Sequence, residues 1–250
     1  MSIETQVRSL PGEAVASEGH AARRLPHPGL FDLAVALAVL ADLYAIFAIS
    51  PAERVQGDVF RIVYAHVPMG WLAYVAFTLV FGASVAYLWK RRPGADYLAR
   101  AAAEVGVLFT TLLLVTGVLY GRPVWGVWWT WDARLTTTLV LWFVYVGYLM
   151  VRSAIADPER SARIGAVLGI VAFANVPLVQ LSVTWWRTLH PTPSVTQPGA
   201  MGGTLLPILL FSMAMFSIVF ARLVVLRLQL VRGQAEARQL AQLVAERTEV

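Results

Sequence analysis

The sequence predicts an all-α integral membrane protein with six transmembrane helices. Both termini are expected on the cytoplasmic side, with a Trp-rich loop between helices 3 and 4 on the outer side. Three observations predict this. First, 58% of the 250 residues are hydrophobic and only 14% are charged, with a mean hydropathy of +0.65. Soluble domains run about 45–50% apolar and roughly 25% charged. Second, six apolar segments each reach about 20 residues, the length that crosses the hydrocarbon core. Third, fifteen of the 20 Lys and Arg residues fall in regions on one side of these segments and five on the other. Cytoplasmic connections carry such an excess of basic residues, so the pI near 9.9 reflects topology.

The elements follow in order. Residues 1–29 carry Pro11, Pro26 and Pro28 and read as a cytoplasmic segment, disordered or lying on a surface. The membrane domain spans 30–226. Its first span is 30–49. Arg23-Arg24 ahead of it and Ala48-Ile49-Ser50 at its end imitate a secretory or twin-arginine signal. Pro51 and the length of the run favour an uncleaved anchor. Asp42 lies midway along this span, where an ionisable group is a functional candidate by default; its role stays open.

The second span, 68–89, follows a connection that holds Arg61 and His66. Pro68 suits an early helical turn, where a missing N–H costs nothing. His66 is therefore expected at the outer mouth of that helix. In the third span, 101–120, Glu104 sits at i, i+4 from Arg100 and can pair with it. The connection 121–134 contains Trp125, Trp128, Trp129 and Trp131, four of the nine tryptophans. Asp132 suits the N-cap of the fourth span, 135–151, a role worth about 1 kcal/mol. Thr136-Thr137-Thr138 read as packing residues. In the fifth span, 164–184, Asn175, Gln180 and nearby Pro177 read as interhelical hydrogen-bonding glue. His190 lies just beyond it, and the sixth span is 204–226. The tail, 227–250, reads as an amphipathic cytoplasmic helix broken or kinked near Gly233. It would lie on the inner leaflet or dock a cytoplasmic partner.

Composition also excludes chemistry. The chain has no cysteine, which removes disulfides, thiolate metal sites, cysteine nucleophiles and covalent haem attachment through C-x-x-C-H. Lys90 is the single lysine, and no G-x-x-x-x-G-K-[ST] phosphate loop surrounds it. The chain supplies no P-loop ATPase of its own.

The remaining chemistry gathers on the outer face. His66 and His190 are the only histidines within or between the spans, and the topology places both on the side of the tryptophan cluster. Neutral imidazole is a good iron ligand and a common axial ligand of haem. Tryptophan belts at membrane interfaces are scattered over many helices. Four indoles in one connection instead suggest a flat aromatic platform for a flat apolar ligand. Arg61 and Arg134 are two of the few outer arginines. Haem has two propionates and Arg grips carboxylates bidentately, so both are candidate propionate partners, with lipid phosphate as the competing role.

The stretch Trp125-Gly126-Val127-Trp128-Trp129-Thr130-Trp131-Asp132-Ala133-Arg134-Leu135-Thr136 resembles the tryptophan-rich WWD signature (125–136) of haem-handling proteins of cytochrome c maturation. The six spans and the contexts Tyr64-Ala65-His66-Val67-Pro68 and Trp185-Trp186-Arg187-Thr188-Leu189-His190 resemble one branch, the haem exporter protein C (CcmC) family of the bacterial system I pathway. The resemblance covers about residues 30–226. It implies a multi-pass protein of the bacterial inner membrane, not an enzyme, with its haem site facing the periplasm. It implies His66 and His190 as axial ligands of a non-covalently and transiently held haem b (iron protoporphyrin IX). Trp125, Gly126, Trp128, Trp129, Trp131 and Asp132 would lie against the porphyrin, with Arg61 and Arg134 nearby. The implied partners are a membrane-anchored periplasmic haem chaperone and the ATPase and membrane subunits of an ABC transporter, with or without a small single-span subunit. No nucleic acid is expected. The competing readings are a bis-histidine cytochrome b electron-transfer subunit, disfavoured by histidines expected on loops, a secondary transporter, and a purely structural membrane subunit.

Overall fold

The computed structural model describes residues 29–186, 188–190 and 203–248. Residues 1–28 and Arg187, which entered the sequence reading, lie outside the described residues. The architecture is all-helical, with no strand among the described residues. Six helical stretches are long and apolar enough to cross a membrane.

The helices are α1 (Leu30–Tyr44, extended by a π-helical turn Ala45–Ile49), α2 (Val63–Lys90), α3 (Pro93–Trp125), α4 (Ala133–Ala154), α5 (Pro158–Phe173), α6 (Asn175–Trp185) and α7 (Leu205–Thr248). They overrun the apolar segments because hydropathy marks what lipid covers, not where backbone hydrogen bonding stops. A 3₁₀ turn, Asp58–Ile62, leads into α2, so helix begins well before Pro68. Pro68 is interior to α2, and His66 is a helical residue rather than part of a loop. Both placements correct the sequence reading. The connection expected over 90–100 shrinks to Arg91 and Arg92, because Pro93 opens α3 as its first residue, a position proline favours. Pro158 opens α5 in the same way, and the Asp157 carboxylate caps it by accepting from the N–H groups of Glu159 and Arg160.

The fifth span is two helices, interrupted at Ala174. Pro177 lacks the N–H that would bond the Phe173 carbonyl, which places the break there. Asn175 Nδ2 donates to the Thr137 carbonyl at 3.2 Å, the interhelical glue expected of it. Gln180 is exposed and does not share that role. The sixth span and the tail form one helix, α7, which passes through Gly233 without the expected break. The tail is thus continuous with α7, about 33 Å for residues 227–248 at 1.5 Å per residue.

α2 is the central helix, packed on α3, α5 and α7, while α1 leans mainly on α7. The core stacks Phe77 on Tyr145 at 3.7 Å between centroids, with Phe109 edge-on to Phe220 at 5.5 Å. Asp42 Oδ1 accepts a 2.6 Å hydrogen bond from the Ser212 hydroxyl, which ties α1 to α7. At one end of the bundle Arg152 pairs with Asp96 at 2.6 Å, both largely buried, and Glu104 pairs with Arg100 at 3.3 Å, as its spacing suggested, and also with Arg227. The opposite end gathers the start of α2, the end of α3, the start of α4 and the end of α6. The candidate site lies there.

Candidate functional site

The tryptophan stretch begins inside a helix. Trp125 is the last residue of α3, and Gly126 follows at φ +78°. That left-handed conformation is the common way for a helix to end, and glycine adopts it without penalty. Gly126 thus turns the chain sharply from α3 into the short segment that reaches α4. The Arg122 guanidinium donates to the Gly126 carbonyl and lies 6.0 Å from the Trp128 ring centroid, bracing the turn.

The indoles do not share a plane. Trp129 and Trp131 meet edge-to-face, with centroids 5.6 Å apart and an angle of 81°. Trp128 and Trp131 are 57% and 75% exposed, whereas Trp129 is half-buried. Trp125 turns inward, its ring 5.0 Å from that of His190. The expected flat platform is therefore a corrugated rim, with one indole packed on a histidine. The cause is the helical end of α3, which points Trp125 away from its neighbours.

Asp132 joins the two halves of the site. Its Oδ1 accepts from the Leu135 N–H at 2.8 Å and caps α4, as its position predicted. Its Oδ2 accepts from the Thr188 hydroxyl at 3.0 Å and lies 3.2 Å from His190 Nδ1. A carboxylate can only accept here, so His190 carries its proton on Nδ1 and leaves the Nε2 lone pair free. The Asp132 and His190 side chains are only 8% and 17% exposed. Burial opposes ionisation of Asp132, but the donors Leu135 and Thr188 and the neighbouring His190 outweigh it and hold the carboxyl below its ordinary value. Burial lowers the His190 value, helped by the charge of Arg134 and resisted by Asp132. His190 is therefore a neutral imidazole near pH 7.

His66 sits on α2 with Nδ1 2.9 Å from Thr116 Oγ1 of α3. Gly117 lets the ring lie flat against α3: a Cβ there would stand 3.1 Å from His66 Cε1. His190 and Arg134 both lie close enough to His66 to couple with it electrostatically, so the three groups share one locale. Arg134 also acts on Tyr74 and forms no ion pair among the described residues. Arg61 is already engaged. It donates to the carbonyls of Ile46 and Phe47, both at 2.8 Å, and pairs with Asp58 at 3.0 Å.

An open cleft of about 520 Å³ is lined by Trp131, Asp132, Ala133, Thr136, Thr137 and Trp186. Ligand clefts run from about 300 to 1,000 Å³. Thr137 donates to the Ala133 carbonyl and Thr138 to that of Arg134, each back within its own helix. Thr136 Oγ1, Thr130 Oγ1 and Trp129 Nε1 are buried without a hydrogen-bond partner among the described residues. Such groups are rare in folded proteins and call for an explanation; a bound polar group would supply one.

Of the predicted residues, the fold brings His66, His190, Trp125, Asp132 and Arg134 together and sets Trp128 and Trp131 on the rim. Sequence reasoning missed Thr116, Gly117 and Tyr74. No local signal marks them, because each meets the site through packing of α3 or α2.

The fold and site define a multi-pass membrane protein with two histidines and a tryptophan rim at one end of its bundle. A family model described as heme exporter protein C (CcmC) matches residues 19–242, and the chain belongs to that family. It is 39% identical over 203 residues to a heme exporter protein C of Bradyrhizobium diazoefficiens, covering 78% of this chain and 76% of the relative. It is 37% identical over 194 residues to the Haemophilus influenzae heme exporter protein C, covering 76% and 78%. It is 39% identical over 145 residues to the one from Escherichia coli K12, covering 58% and 59%.

Proposed function

We propose that this protein binds haem at the periplasmic face of the bacterial inner membrane and hands it to a haem chaperone for cytochrome c maturation. The observation that carries the reading is the pairing of His190 with Asp132. An imidazole whose Nδ1–H is held by a carboxylate and whose Nε2 is free is the usual arrangement of a metal-ligating histidine. A second histidine in the same locale, also bonded through Nδ1, completes an axial pair. Haem b is cargo here, held non-covalently and transiently. His66 and His190 are its axial ligands. The indoles of Trp125, Trp128, Trp129 and Trp131 and the Gly126 turn border the porphyrin. Arg134 takes a propionate, while Arg61, bound to α1 carbonyls, is the weaker candidate. The free hydroxyl of Thr136 extends the polar lining.

The positive-inside bias supports cytoplasmic termini and a periplasmic site. The partners that fit are a membrane-anchored periplasmic haem chaperone and an ABC-type complex whose ATPase is another chain. A carrier must release its cargo, and each 1.4 kcal/mol of surplus affinity costs tenfold in the exchange equilibrium. An open cleft at the end of a bundle suits exchange. His66 lies on a helix, which is one point in favour of a cytochrome b reading. The non-helical setting of His190 and the single histidine pair keep that reading second.

The test is transfer. Haem-loaded protein in lipid nanodiscs is mixed with the soluble domain of a periplasmic haem chaperone, and the haem spectrum of each is followed after separation. The reading expects haem to move to the chaperone. Haem that stays put, or that moves equally to an unrelated soluble protein, would overturn it.

A further inference from the structure

We infer that Thr116 is a positioning residue that fixes the tautomer of His66 and aims its Nε2 into the site. This rests on the haem reading above and deepens it.

Thr116 Oγ1 makes three contacts. It lies 2.8 Å from the Leu112 carbonyl, 3.1 Å from the Leu113 carbonyl and 2.9 Å from His66 Nδ1. A hydroxyl has one hydrogen and two lone pairs. With the hydrogen given to the carbonyl one turn back, the oxygen can only accept from His66, which then carries its proton on Nδ1.

The same helix contains an unambiguous copy of this arrangement. Thr111 Oγ1 donates to the Val107 carbonyl at 2.8 Å and accepts from Trp142 Nε1 at 2.8 Å. An indole N–H can only donate, so the direction there is certain. Thr116 repeats the geometry with an imidazole in place of the indole. Gly117 acts beside it: a Cβ there would stand 3.1 Å from His66 Cε1, and the ring would have to move by a few tenths of an ångström. His66 and His190 thus present the same tautomer, each with Nε2 bare, one backed by an alcohol and the other by a carboxylate. Both Thr116 and Gly117 act through His66.

The test uses the full-length protein in detergent or nanodiscs. Nitrogen-15 NMR of histidine-labelled, haem-free protein reports the tautomer directly. The chain has four histidines, so each signal is assignable by single substitution. Wild type and Thr116→Ser are expected to show His66 protonated at Nδ1. In Thr116→Val the Nε2-protonated form gains population. The His190 signal stays unchanged in all three and reports an intact fold. With haem added, Thr116→Val is expected to lose about ten- to a hundredfold in affinity, the usual effect of removing a partner behind a metal-ligating histidine, while Thr116→Ser keeps the wild-type value. A wild-type His66 protonated at Nε2, or a Thr116→Val spectrum identical to wild type, overturns the inference. The tautomer is read without haem. A wild type that binds no haem sinks the functional reading instead, so the two failures are distinguishable.

Discussion

Asp132 and His190 stand 58 residues apart, and their side chains meet at 3.2 Å, Oδ2 to Nδ1. The other oxygen of the same carboxylate caps α4 on the Leu135 N–H at 2.8 Å. One side chain therefore fixes the start of a helix and the orientation of a histidine that follows a different helix. Two tasks on two oxygens can be separated by substitution.

Asp132→Asn keeps the cap, since Asn caps as well as Asp, but removes the charge behind His190. Haem affinity is expected to fall about ten- to a hundredfold with thermal stability nearly unchanged. Asp132→Ala loses the cap as well, at about 1 kcal/mol. Haem titration beside thermal unfolding in detergent separates the two effects.

Acid should weaken the site in two stages. The His190 value is lowered from 6.5, chiefly by burial, so the neutral imidazole is favoured in the fold. Its contribution is present above about pH 6.5 and is lost only as pH falls through the lowered value. The Asp132 value is lowered from 3.8, so its contribution is present above about pH 3.8 and fails at lower pH still. Haem retention is therefore expected to be level from pH 8 to 6.5 and to decline below that. A decline that begins above pH 7 would contradict this. Spectra across a pH series check it.

Gly117 separates stability from binding. Alanine in a helix interior is favoured over glycine by roughly 0.5–1 kcal/mol, so Gly117→Ala should not lower the melting temperature. Its Cβ would press on His66 at 3.1 Å, so haem occupancy should fall. Unfolding curves and haem content of the same preparation read both.

The far end of the bundle gives a control. Arg152 and Asp96 pair at 2.6 Å with side chains 5% and 12% exposed. Arg152→Leu leaves a buried carboxylate and is expected to cost about 3–5 kcal/mol. Adding Asp96→Asn should recover part of that loss. Haem affinity should not change in either variant that folds, as measured by titration.

The spans were legible because lipid imposes an apolar run that nothing else in a sequence imitates. His66, His190 and Asp132 were legible because so few polar groups fall on that face. The helix ends were not, since α3 and α7 continue through charged residues that hydropathy reads as connections. Pro68 misled because a proline is read most readily as a helix start, whereas α2 already begins at Val63. Thr116 and Gly117 were invisible because they lie in an apolar run fifty residues from their partner, and only the packing of α3 on α2 reveals their neighbour. The tryptophan cluster was legible as a surface but not as a shape, because the end of α3 turns Trp125 inward.

The central claim is that His66 and His190 hold haem between them. The most direct measurement is the visible and electron paramagnetic resonance spectrum of protein purified after expression with ample haem. Wild type is compared with His66→Gly and His190→Gly, with and without imidazole. A low-spin six-coordinate haem in wild type, altered in each variant and restored by imidazole, is the predicted result. A wild-type spectrum retained in both variants would contradict the assignment.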